Sequence, residues 1–255
     1  LDGNGSAIKW REGVQGLNIR GDSQGKYWGD RALTYGLQYG LDREAVQLKI
    51  RRKISLMQKY VSFDVENVIE MGCGTGLYTK EFTRLNQKLL STDISKEMIN
   101  VAKKYNPTTK FEQMDARKLP LSNGSYDLVL STFLLQHVET NLVLPEMCRI
   151  LKRGGYLGAL VPNILNPLHY SRARVGLMRW ILKENSQSDD FTRWQWVNLL
   201  ERYGFKPICV KPIEFTSPYI PLRLMGISTK VGEMLERIPI AKEFAGTLLI
   251  VARKA

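Results

Sequence analysis

The sequence predicts an α/β protein: a doubly wound, mostly parallel, seven-stranded sheet with helices on both faces. Three observations carry this reading. Short apolar runs alternate with helical patterns from residue 66 to the C-terminus, and such alternation builds parallel strands covered on both sides. The run Val68-Ile69-Glu70-Met71 ends in an acid and one Met, then breaks into Gly72-Cys73-Gly74-Thr75-Gly76. Three glycines at alternate positions between a strand and a helical pattern give the layout of a nucleotide-type site. Two further acids, Asp93 and Asp115, close the next two apolar runs. They fall at the carboxyl edge of the sheet, where ligands of open α/β folds bind.

Residues 1–60 read as an N-terminal helical extension. Leu41 to Tyr60 has helical spacing, with Val46, Ile50, Ile54 and Met57 on one side and Arg51, Arg52, Lys53 and Lys59 among the polar positions. Upstream, the aromatics Tyr27, Trp28 and Tyr35 either pack the extension onto the domain or form part of a lid. The main domain, 61–255, then runs as the fold requires. Strand one is expected near 66–71, with a helix at 77–86. Strand two is near 88–93, and Ser95 is placed to N-cap a helix reaching about residue 105. Strand three covers 110–114 and strand four 126–131. A helix over 139–151 is expected to end at Gly154-Gly155. Strand five is 156–161, stopped by Pro162. A helix at 191–203 leads to strand six, 205–211, and strand seven is 247–253. Two long connections remain, at 163–190 and 212–245. Long connections in compact domains are usually functional, and the first leaves from the carboxyl edge, so both are expected to cap the substrate.

The 255 residues carry 37 basic and 25 acidic side chains, a net charge of +12. That excess either favours an anionic partner (nucleic acid, an acidic membrane surface, a phosphorylated substrate) or serves solubility alone. Within the first insertion, Arg172, Arg174, Arg179 and Lys183 interleave with Val175, Leu177, Met178, Trp180, Ile181 and Leu182. A basic, Trp-containing run of this kind either lies in a membrane interface or packs on its own domain. No stretch is long and apolar enough to predict a transmembrane helix. The opening residues Leu1 to Ser6 carry no apolar signal core. Cys73, Cys148 and Cys209 are odd in number and far apart, so neither a disulfide framework nor a metal site is expected. A cytoplasmic setting follows, with peripheral membrane contact left open.

The loop spacing is G-x-G-x-G, not the G-x-G-x-x-G of dinucleotide folds, and no Gly-Lys-Ser/Thr follows, which excludes a P-loop. Glu70, two residues before the first glycine, would repel a diphosphate and suits a ligand bearing an ammonium group. Asp93 lies 17 residues past Gly76, where an acid holds the two hydroxyls of a ribose. Taken in order with Asp115 and Leu151-Lys152-Arg153-Gly154-Gly155, this series resembles the class I S-adenosylmethionine (SAM)-dependent methyltransferases, in the branch acting on small molecules and lipids. The resemblance covers residues 60–162 well and the remainder more weakly.

That resemblance implies a Rossmann-like methyltransferase fold with an antiparallel last strand and an N-terminal lid. It implies SAM as cofactor and S-adenosylhomocysteine as product. Gly72, Cys73, Gly74 and Gly76 would lie along the methionine part, with Glu70 facing its ammonium or an ordered water. Asp93 would take the ribose hydroxyls, and Ile94 would pack on the adenine. Asp115 would accept from the adenine amino group, and the Ala116 backbone would donate to a ring nitrogen. Ser131 and Thr132 would border the methionine end. Met98, Tyr27 and Tyr35 complete the expected cofactor set.

The acceptor side is less defined. His137 and His169 are the only histidines, and both follow strands at the active-site edge. Each is a candidate base for a hydroxyl nucleophile; His137 is equally placed to line the cofactor pocket. Ser131-Thr132-Phe133-Leu134 stands where amino methylases of nucleic-acid bases carry Asn/Asp-Pro-Pro-aromatic. The leading expectation is methyl transfer by in-line displacement to oxygen of a small-molecule, lipid-linked or glycan acceptor. An RNA (tRNA)-modifying enzyme is the alternative, and a non-enzymatic SAM-binding protein the third reading.

Overall fold

The structure is a computed structural model and describes residues 23–32, 44–86, 88–166, 191–216 and 222–255. The elements in chain order are α1 (Ser23–Gly29), α2 (Glu44–Gln58), β1 (Val68–Met71), α3 (Thr79–Leu85), β2 (Leu90–Asp93), α4 (Lys96–Tyr105), β3 (Lys110–Gln113) and β4 (Tyr126–Thr132). A 3₁₀ turn (Leu135–His137) follows, then α5 (Thr140–Ile150), β5 (Leu151–Pro162), α6 (Arg193–Arg202), β6 (Phe205–Ile213) and α7 (Leu222–Leu235). A second 3₁₀ turn (Ala241–Phe244) leads to β7 (Thr247–Lys254).

The seven strands form one sheet in the order β3-β2-β1-β4-β5-β7-β6. All neighbours are parallel except β7, which runs antiparallel to both β5 and β6. The strand order reverses between β1 and β4, and a crevice at such a switch point is where open α/β sheets bind ligands.

Alternation along the strands divides the core into two layers. Ile69, Met71, Val129, Leu157 and Ile250 point to one face, where they meet Leu144 and Met147 of α5 and Trp196 of α6. Val68, Leu128, Leu130, Leu160 and Leu249 point to the other, against Ile50, Ile54 and Met57 of α2 and Phe82 of α3. Both faces are therefore covered, as the near-continuous apolar strands require. The Ser95 side chain accepts the Met98 amide and caps α4.

Two expectations are corrected. The helix before strand five ends at Ile150, and β5 begins directly at Leu151. Gly154-Gly155 does not cap that helix. Leu151 pairs with Tyr126, and pairing resumes only at Tyr156 with Leu128, so the glycines lie in a bulge inside the strand. The second correction is Lys53, which helical spacing had placed among the polar positions. It is buried, at 8% exposure, with Ile50, Ile54 and Met57 on one face of α2. Its position, i+3 from Ile50, belongs to the inward stripe of an i, i+3, i+4, i+7 pattern.

Of the first insertion only 163–166 is described. Asn163 is buried, and its Nδ2 donates to the Glu243 carbonyl (2.7 Å) and the Ala245 carbonyl (2.8 Å), tying the end of β5 to the segment before β7. The basic Trp180 run, His169 and Tyr35 lie outside the described residues. In the second insertion β6 extends to Ile213, beyond the expected residue 211, and α7 occupies its centre.

Candidate functional site

The glycine loop continues the β1–β2 pairing past the end of the strand. The amides of Gly72 and Cys73 both donate to the Thr92 carbonyl, at 2.8 and 2.9 Å. Gly72, Gly74 and Gly76 all have positive φ, at 73°, 54° and 80°, a region that costs side-chain-bearing residues about 1–2 kcal/mol. Gly76 has a second constraint: a Cβ there would stand 2.4 Å from Asn106 Nδ2 and 3.0 Å from Ala102 Cβ. Gly74 differs, because a Cβ at that point meets nothing within 4 Å. The loop is thus packed against α4 at Gly76 and open at Gly74.

Two acids stand under this loop. Glu70 is fully buried. Its Oε2 accepts from Thr79 Oγ1 (2.7 Å) and Ser91 Oγ (2.8 Å), while Oε1 has no hydrogen-bond partner. Burial pushes its pKa up to about 7, against the two hydroxyl hydrogen bonds and with help from the neighbouring Asp93 charge. Asp93 ends β2. Its Oδ2 accepts the Gly74 amide at 2.8 Å and its Oδ1 the Ser95 amide at 2.9 Å. Burial raises its pKa too, with those backbone donors opposing. A buried carboxylate with a bare oxygen beside a half-buried one suits a ligand that brings positive charge and hydroxyl donors.

Beside them lies a cleft of about 740 Å³ at the carboxyl ends of β2 and β3, within the usual size range for small-molecule sites. Ile94, Gln113, Met114 and Asp115 form one wall, and Gly25, Lys26 and Gly29 of α1, with Asp30 just after it, form another. The Asp115 carboxylate is held by Arg117, with contacts of 2.5 to 3.1 Å from the guanidinium and 2.9 Å from the amide. Burial raises its pKa, but the Arg117 hydrogen bonds outweigh that and leave it below the ordinary carboxylate value. Ala116, the next residue, is partly buried against the core.

The remaining expected residues are placed as follows. Ser131 is buried at the end of β4 with its Oγ lacking a hydrogen-bond partner, and Thr132 is buried beside it. Met98 is buried in a small cluster with Ala32 and Val101, with Trp28 packed against it. It therefore joins α1 to α4 and does not line the cleft. Tyr27 does not line it either: its ring meets Trp28 edge-on at 5.1 Å and lies under the Arg31 guanidinium at 3.7 Å. His137 is exposed, its ring 4.8 Å from that of Trp28.

Sequence reasoning missed a further charged group at the same edge. Lys49 and Lys53 of α2 face the buried Glu214, which follows β6, at 3.7 and 3.9 Å. Lys53 also sits 5.5 Å above the Phe133 ring, and Phe133 is 6.0 Å from Tyr78. Among the described residues, Glu214 and Phe133 are the non-glycine residues held at positive φ, at 78° and 55°. Such conformations cost about 1–3 kcal/mol each and cluster at ligand sites. Burial lowers the Lys49 pKa to about 8, with Glu214 opposing, and lowers that of Lys53 for the same reasons. The only sequence signal was a lysine on the apolar stripe of α2.

Comparison with known proteins agrees with this geometry. Residues 69–159 match the family described as "Methyltransferase domain". The chain is 32% identical over 101 residues to malonyl-[acyl-carrier protein] O-methyltransferase of Buchnera aphidicola, covering 39% of this chain and 41% of that protein. It is 28% identical over 162 residues to ubiquinone biosynthesis O-methyltransferase of Cereibacter sphaeroides, covering 60% and 65%. The matched stretch is thus less than two thirds of either relative's length. Among solved structures, a SAM-dependent methyltransferase of Thermotoga maritima, described as a possible histamine N-methyltransferase, superposes with a TM-score of 0.63. It is 16% identical, over 90% of this chain and 99% of that one, so it speaks for the fold alone. With its strand order, its glycine loop beside two acids and its match over residues 69–159, the chain carries a methyltransferase domain on a Rossmann-like sheet of the kind found in SAM-dependent methyltransferases.

Proposed function

We propose that the protein transfers a methyl group from SAM to an oxygen atom of a small-molecule or lipid-linked acceptor. One observation carries the donor half: a buried Glu70 with a bare Oε1, set under a loop whose Gly74 amide is tied to Asp93. Glu70 would face the ammonium of the cofactor, and Asp93 would accept from its ribose hydroxyls. Ile94 and Asp115, on the wall of the cleft, would hold the adenine. The open side of Gly74 lets a ligand approach the backbone. SAM supplies a methyl group already activated on a sulfonium. The protein's own contribution is alignment of an acceptor oxygen with that methyl, a proximity effect.

Oxygen is favoured as acceptor atom by the two curated relatives, both described as O-methyltransferases. His137, on the turn after β4, would take the proton of a hydroxyl acceptor, and its packing against Trp28 would fix the ring. An acid acceptor needs no such base.

The test is incubation with methyl-labelled SAM and three acceptor sets: hydroxylated aromatics, carboxylic acids and bulk tRNA. Label in an ether or ester product supports the reading. Label in tRNA alone would replace it with RNA modification. For a hydroxyl acceptor, His137→Ala should lower kcat by about 10²-fold with S-adenosylhomocysteine affinity unchanged; full turnover would remove His137 as the base.

A further inference from the structure

Helix α7 and the turn after it carry a regular apolar stripe on their outer side. Leu224, Ile227, Val231, Met234 and Ile238 are spaced alternately three and four residues apart. All are exposed, from 44% at Ile238 to 64% at Ile227, and Ile240 just beyond is 78% exposed. A helix that packs on its own domain turns such a stripe inward; here the inward side is a different one. Met225 is buried, and a Cβ added at Gly232 would stand 3.5 Å from Phe215 Cβ.

The charges on α7 and the turn after it are sorted as well. Arg223, Lys230 and Arg237, all exposed, stand seven residues apart and border the stripe along one side. The acids point the other way: Glu233 and Glu236 face Arg52 of α2, at 3.5 and 2.9 Å. The outer surface of α7 is therefore apolar with a cationic border.

A second copy of the chain fits this surface poorly. Antiparallel two-fold pairing of α7 against itself would oppose Lys230 with its own counterpart and Arg223 with Arg237, like charges along the whole seam. An anionic lipid surface uses both features: apolar side chains enter the acyl boundary and the cations meet headgroups. The net charge of +12 acts in the same direction. Among the described residues no helix is long and apolar enough to cross a membrane, so contact from the surface is the geometry available.

We propose that α7, with the turn after it, is a membrane-surface element that seats the protein on an anionic lipid bilayer through Leu224, Ile227, Val231, Met234 and Ile238. α7 follows β6 and precedes β7, at the same edge of the sheet as Glu214 and Phe133, so the bilayer would face that edge. The surface stands whether or not the methyl-transfer reading holds, because lipid binding and cofactor binding are read separately.

The test is co-sedimentation of the whole chain with phosphatidylcholine vesicles, with and without phosphatidylglycerol. Binding should require phosphatidylglycerol and weaken with salt. Ile227→Ser with Met234→Ser should weaken it by about tenfold or more. The triple reversal Arg223→Glu, Lys230→Glu and Arg237→Glu should abolish it. S-adenosylhomocysteine affinity, measured by calorimetry, should not change in either variant. The proposal is overturned by no binding to phosphatidylglycerol vesicles, or by binding that survives the apolar substitutions. It is also overturned by a solution dimer of the wild type that those substitutions dissociate.

Discussion

The Gly74 amide donates to Asp93 Oδ2 at 2.8 Å, so the glycine loop and the acid of the second strand form one unit. Gly74 and Gly76 share that loop but should respond differently to alanine. At Gly74 (φ 54°) the added methyl meets nothing within 4 Å, so only backbone strain of about 1–2 kcal/mol is expected. Cofactor affinity should fall more than stability does, because the methyl stands on the open side. At Gly76 the methyl would stand 2.4 Å from Asn106 Nδ2, and unfolding should be easier by more than about 2 kcal/mol. Thermal melts and calorimetry of the two variants separate the cases; equal melting losses would count against the packing described.

Glu70 makes the protein pH-sensitive. Its folded pKa is raised from 4.5 to about 7, so its contribution to stability is present below pH 4.5 and is lost as pH rises through 7. Glu70→Gln, which keeps an oxygen for Thr79 and Ser91, should therefore raise the melting temperature at pH 8 and leave it nearly unchanged at pH 5. A cationic ligand at Oε1 favours the ionised form. Binding of S-adenosylhomocysteine near pH 7 should then release protons, read by calorimetry in buffers of different ionisation enthalpy, and Glu70→Gln should remove that release.

The Lys49–Glu214–Lys53 group predicts an opposite pH trend. Glu214→Gln leaves the buried Lys53 and the largely buried Lys49 without this counter-charge, and breaking a buried pair costs about 3–5 kcal/mol. The Lys49 pKa is lowered from 10.5 to about 8. A cation with a lowered folded pKa carries its cost below that value and sheds it as pH rises toward the unfolded one. The loss in Glu214→Gln should be largest at pH 7 and smaller at pH 9.5. Chemical denaturation at the two pH values checks this; a loss that grows with pH would contradict it.

Local features were legible in the sequence, and long-range ones were not. Apolar runs ending in Glu70, Asp93 and Asp115 located three strand ends, and Ser95 marked a helix start, because each depends on residues close in the chain. The end of α5 was misplaced: glycine at a helix end and glycine in a strand bulge leave the same local sign, and only the pairing of Leu151 with Tyr126 separates them. Lys53 was misread because its partner, Glu214, is 161 residues away in the chain. The same holds for α1: no pattern near Met98 shows that Trp28 and Ala32 cover it.

Asp93 holds the loop, and in the proposed cofactor site it would hold the ligand too. Calorimetric titration of the wild type and Asp93→Ala with S-adenosylhomocysteine tests this most directly, with circular dichroism to confirm that both are folded. One site on the wild type is expected, weakened at least about tenfold in the variant, the loss of one charge-assisted hydrogen bond or more. No binding to the folded wild type, or equal affinity for both proteins, would contradict it.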